Sequence, residues 1–74
     1  MRLTDLEPGE RYAAARSFRD DRGTTVLDGD TFTLVRVSAT HGTFAVVCEE
    51  ETLYLDEERQ AEIVEHADRF LRLL

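Results

Sequence analysis

The run TFTLVRVSA at residues 31–39, followed by THG and then TFAVVCE at 43–49, constrains the fold more than any other part of this chain. Threonine, valine and phenylalanine dominate it, and their branched or aromatic side chains suit a pleated surface better than a helix. Gly42 can take the positive φ of a tight turn, so the segment reads as a β-hairpin. Beyond the turn, Phe44, Val46 and Cys48 share one face. Ahead of it, Phe32 and Leu34 lie on one face and Val35 and Val37 on the other. Apolar groups on both faces predict a strand that bends and passes from one small sheet to another.

Three further strands are predicted around this hairpin. Pro8-Gly9 has type II turn chemistry and introduces RYAAARSF, residues 11–18, where an aromatic at each end favours a strand over the helix that three alanines would suit. The turn DDRG at 20–23 leads to the short strand TTVL, and DGD at 28–30 is another turn. TLYL, residues 52–55, supplies a fifth strand with Leu53 and Leu55 inward. After it, DEERQAEIVEHADRFLRLL reads as an amphipathic helix over 56–74. Asp56 is placed as N-cap, with Glu57 and Glu58 at the positive end of the dipole and Arg69 and Arg72 near the negative end. At 100° per residue, Ile63, Val64, Ala67, Phe70, Leu71, Leu73 and Leu74 fall within about half the circumference. Glu65 with Arg69 and Asp68 with Arg72 form i,i+4 pairs on the other side.

The expected fold is therefore α+β and mainly β. It is a single domain over 1–74, with strands through residue 55 and one C-terminal helix over 56–74. Five short antiparallel strands suggest a small bent barrel, with a flatter meander under the helix as the alternative. The spacing Leu6-x-x-Gly9-x-x-Tyr12, Phe18-x-Asp20-x-x-Gly23 and Gly29-Asp30-x-Phe32 resembles that of a family of small bacterial proteins with no assigned activity. The resemblance covers most of the chain and rests on turn glycines and core aromatics. It implies an SH3-like barrel with a C-terminal helix, and it implies no activity.

At 74 residues the chain buries only about 60% of its unfolded surface, so stability is limited. One cysteine permits no internal disulfide, MRLTDLEPGE has no apolar signal core, and no apolar run approaches the roughly 20 residues of a membrane span; a cytoplasmic setting is expected. The net charge of −7 is uneven, with −1 over residues 1–48 and −6 over 49–74. Such an acidic second half repels phosphate backbones and anionic lipid, so neither nucleic acid nor a membrane is an expected partner.

No motif with specific chemistry is present. There is no HExxH, CxxC or phosphate-binding glycine loop, and no elbow surrounds Ser17 or Ser38. Cys48 follows an alternating apolar pattern and precedes three glutamates, which describes a buried structural thiol rather than a nucleophile. His41 reads as a turn residue and His66 as the margin of the helix stripe. Glu49, Glu50 and Glu51 form an acidic turn without the shaped, glycine-bearing loop of a cation site, so no metal or cofactor is expected. Leu71, Leu73 and Leu74 can exceed what a small barrel covers.

These features predict a non-enzymatic acidic interaction domain that forms a homodimer or takes a basic protein partner, through Leu71, Leu73, Leu74 and Glu49, Glu50, Glu51. One alternative is a small hydrolytic or metal-dependent enzyme built from Glu49, Glu51, His41 or His66. A weaker one is single-strand binding on a barrel face carrying Arg11, Arg16, Arg19, Arg22 and Arg36 with Tyr12 and Phe18.

Overall fold

The expected hairpin organises the molecule. In the computed structural model, which describes residues 1–74, β1 is Arg11–Ala14, β2 Phe18–Arg19, β3 Thr25–Val26, β4 Thr31–Thr40, β5 Thr43–Cys48, β6 Thr52–Asp56 and β7 Leu71–Leu73. The helix α1 is Ala61–Glu65, and 3-10 turns occupy Leu3–Asp5 and Ala67–Arg69. Five strands form an antiparallel sheet in the order β6-β5-β4-β1-β7, while β2 and β3 pair separately. The sheet is open: β6 and β7 are its two edges and do not pair with each other, so the strands do not close into the expected barrel.

Between β4 and β5, Thr40 faces Thr43 across a two-residue loop in which His41 (φ 51) and Gly42 (φ 78) are both left-handed. That is the type I′ geometry whose twist matches a hairpin. Along β4 the register shifts between Leu34 and Arg36, so Val35 is the extra residue of a β-bulge. The bulge resets the side-chain phase. Phe32 and Leu34 are buried before it, Val37 packs against the core after it, and Val35 is left exposed. Apolar residues on both faces thus mark a bend, and β4 pairs first with β1 and then along β5. The predicted strand over 11–18 is interrupted. It ends at Ala14, and Phe18–Arg19 forms β2 against β3.

The C-terminal segment departs most from expectation. Asp56 Oδ1 does accept the N–H groups of Glu58 (2.9 Å) and Arg59 (2.8 Å), as a cap would, but residues 57–60 form turns and only Ala61–Glu65 are helical. At His66 the backbone leaves the helical region (φ −130, ψ 56), and the Ala67 N–H turns to Met1 O at 2.8 Å. A helix over 56–74 would be about 28 Å long, nearly the whole longest dimension of the molecule, 29 Å. It would also leave the outer side of β1 unpaired. Instead the chain doubles back and residues 71–73 become the strand beside β1, with Tyr12 opposite Leu73 and Ala14 opposite Leu71. The apolar spacing survives the change of path, because Ile63, Val64, Ala67, Phe70 and Leu71 are all buried. The helix-face ion pairs do not: Glu65 pairs with Arg2 (3.5 Å) and Asp68 with the Met1 amino group (3.2 Å).

Candidate functional site

An edge strand exposes every second N–H and C=O, and the two edges of this sheet are treated differently. In the β5–β6 ladder, Glu57 N–H bonds Gly42 O and Cys48 N–H bonds Glu51 O, a phase that turns Tyr54 and Asp56 away from β5. All four of their outward groups are occupied. Tyr54 N–H donates to Asp20 Oδ2 (3.0 Å), and Tyr54 O accepts from Asp21 N–H (2.7 Å). Asp56 N–H donates to Gln60 Oε1 (3.1 Å), and Asp56 O accepts from Gln60 N–H (2.9 Å). Asp20, only 4% exposed, also takes the N–H groups of Arg22 (3.0 Å) and Thr24 (2.7 Å) on Oδ1, so one carboxylate closes its own turn and docks it on β6. Arg59 pairs with Asp21 at 2.9 Å, and the Arg22 guanidinium stacks 3.6 Å from the Tyr54 ring centre. This edge is sealed along Tyr54 and Asp56, with only Thr52, beside the acidic turn, lacking an outward partner.

The β7 edge is not. Leu74 N–H bonds Arg11 O (3.0 Å) and Ala15 N–H bonds Phe70 O (2.7 Å), so Phe70, Arg72 and Leu74 turn their backbone groups to β1. Those of Leu71 and Leu73 therefore point outward, and no turn or loop backbone group reaches them. A cleft of about 310 Å³ lies along this edge, lined by Met1, Asp5, Glu7, Tyr12, Asp68, Leu71, Arg72 and Leu73. Of its carboxylates, Asp68 sits against the Met1 amino group, which holds it below the usual carboxylate range. Asp5 accepts the Arg2 N–H at 2.9 Å. Glu7 uses its N–H to bond Tyr12 Oη (2.8 Å), and its carboxylate is in no ion pair. The cleft is thus apolar at its floor and acidic at its rim.

The predicted leucines divide across this edge. Leu71 is buried in the core, whereas Leu73 and Leu74 are 60% and 56% exposed. Glu49, Glu50 and Glu51 form the β5–β6 turn as expected, but Glu50 is occupied internally. Its Oε1 accepts the Thr33 N–H (2.8 Å) and its Oε2 lies 3.5 Å from Arg11 Nη1; chiefly the Thr33 N–H, then Arg11, hold it below the usual range. Arg11 also donates to Thr31 and Thr33 Oγ1, both at 2.8 Å, while its carbonyl holds Leu74. Arg11 therefore bridges the acidic turn and the C-terminal leucines, a role its position at the start of a strand did not signal. Glu49 and Glu51 are exposed.

Cys48 is buried, and that burial, followed by the charges of Glu50 and Glu51, pushes its thiol up to about 12. His41 occupies the β4–β5 turn and His66 the C-terminus of α1. His41 and the Glu49–Glu51 turn lie at opposite ends of the six-residue β5, about 20 Å apart. The structure does not bring them together. The arginines suggested for single strands are dispersed as well: Arg16 stacks on Phe70 (4.9 Å to the ring centre) and Arg22 on Tyr54.

The architecture is thus a mainly β α+β fold, an open five-stranded antiparallel sheet with a two-stranded hairpin and one short helix. The same fold occurs in an integron cassette protein from the mobile metagenome of Vibrio cholerae, which superposes with a TM-score of 0.89 over 93% of this chain and 88% of that one, at 23% sequence identity. At that identity the likeness establishes the fold. No protein-family model and no curated protein matches the chain. No helix is long and apolar enough to cross a membrane.

Proposed function

We propose that this chain is a non-enzymatic protein-interaction domain that engages a partner strand along β7. The observation that carries the reading is the contrast between the edges. The Asp20 turn and Gln60 satisfy the outward groups of Tyr54 and Asp56, whereas those of Leu71 and Leu73 are left beside an apolar-floored cleft. Strand addition uses such an edge: main-chain hydrogen bonds supply affinity and neighbouring pockets select side chains. Self-association is a second reading, favoured by exposed Leu73 and Leu74 at the same place. The bulged β4, shared between β1 and β5, supports an SH3-like relationship for the fold, and a single buried free thiol suits a cytoplasmic setting.

The test uses short amide-capped strand-forming peptides of acidic, neutral and basic composition, with amide exchange at Leu71 and Leu73 as readout and light scattering of the chain alone. Protection of these amides by a peptide, or a dimer that protects them, supports the reading. The variant Leu73→Pro removes an N–H that points away from β1 and blocks the edge while sparing the ladder, and it should abolish that protection. A monomer whose edge no peptide protects refutes the reading.

A further inference from the structure

We infer that the occupant of the β7 edge is an extended basic segment of another protein rather than a second copy of this chain, an inference that rests on the edge being a docking site. Two requirements meet at the cleft. Its floor, Tyr12 and Leu71 with Leu73 at the lip, receives apolar side chains that alternate along an added strand. Its rim carries Asp5, Glu7 and Asp68, and the Glu7 carboxylate has no cationic partner within the molecule. A strand with apolar residues on one face and arginine or lysine on the other satisfies both.

A second copy fits less well. Two-fold pairing of β7 with β7 would bring both acidic rims to one seam and join two chains of net charge −7. Like charges set opposite each other cost several kcal/mol and suppress the wrong partner. Arg72 and the Met1 amino group, which pairs with Asp68, offset two of the rim's three carboxylates, so each rim keeps a net negative charge and the unpaired Glu7.

The experiment titrates the full chain with an amide-capped peptide of alternating leucine and arginine, and in parallel with leucine–serine and leucine–glutamate peptides of the same length. The inference expects the arginine peptide to bind tightest and to protect the Leu71 and Leu73 amides. Its affinity should fall about tenfold between low and high salt as the Debye length shrinks. Glu7→Arg should weaken it by about tenfold with unchanged thermal stability, and Leu73→Pro should remove binding. Equal binding of the serine or glutamate peptide overturns the basic occupant while leaving the edge a docking site. So does dimerisation through β7 without peptide. If no peptide binds and no dimer forms, the docking reading falls with it.

Discussion

Replacing Asp20 by alanine is the sharpest perturbation of this fold, because one buried carboxylate accepts three backbone N–H groups from two parts of the chain. The partners are Arg22 at 3.0 Å, Thr24 at 2.7 Å and Tyr54 at 3.0 Å. The Arg22 N–H lies in a surface turn and can turn to water. The Thr24 and Tyr54 N–H groups lie in partly buried surroundings, and each donor left unsatisfied there costs about 1–3 kcal/mol. Asp20→Ala should therefore destabilise by about 3–5 kcal/mol. A chain of this length holds roughly 4–11 kcal/mol in total, so a large share is at stake. Asp20→Asn is the control. It keeps one oxygen for Arg22 and Thr24 but sets its amide against the Tyr54 N–H, for a loss of about 2 kcal/mol. Urea unfolding followed by far-UV circular dichroism suits a chain without tryptophan. The unsealed β6 edge should also make the alanine variant more prone to associate. A loss below about 1 kcal/mol, with Tyr54 still slow to exchange, would refute the reasoning.

Leu71 and Leu73 should separate stability from recognition. Leu71→Ala should cost about 2–5 kcal/mol, while Leu73→Ala, at an exposed position, should stay within about 0.5 kcal/mol and reduce peptide binding. Cys48 should resist thiol reagents until the chain unfolds. The folded thiol stays neutral to about 12 while the unfolded thiol ionises near its ordinary value of 9.0, so stability is fully present below that value and falls as pH rises above it. The slope, about 1.4 kcal/mol per pH unit, should be absent from Cys48→Ala when both are unfolded with urea across that range.

What could be read in advance was local. The β4–β5 hairpin follows from β-branched residues around a glycine that accepts positive φ, and Phe44, Val46, Cys48, Leu53 and Leu55 are buried where period-two alternation put them. The spacing of Ile63, Val64, Ala67, Phe70 and Leu71 correctly marked buried residues, but it could not tell one long helix from a helix, a 3-10 turn and a strand. That choice is made by β1, nearly 60 residues earlier in the chain, which needs a neighbour on its outer side. Asp20 was recognisable as a turn residue. Its second role, holding Tyr54 34 positions away, carries no local signature. Glu50 was equally opaque, because its partners Thr33 and Arg11 come from other strands.

Native-state amide hydrogen exchange tests the contrast between the edges most directly, since it reads the N–H groups themselves. The structure predicts slow exchange at Tyr54 and Asp56, although both face outward from an edge strand, and fast exchange at Leu73 in the chain alone. Adding the leucine–arginine peptide should slow Leu73 and leave Tyr54 unchanged. Fast exchange at Tyr54, or strong protection of Leu73 in a monomer without peptide, would contradict the account.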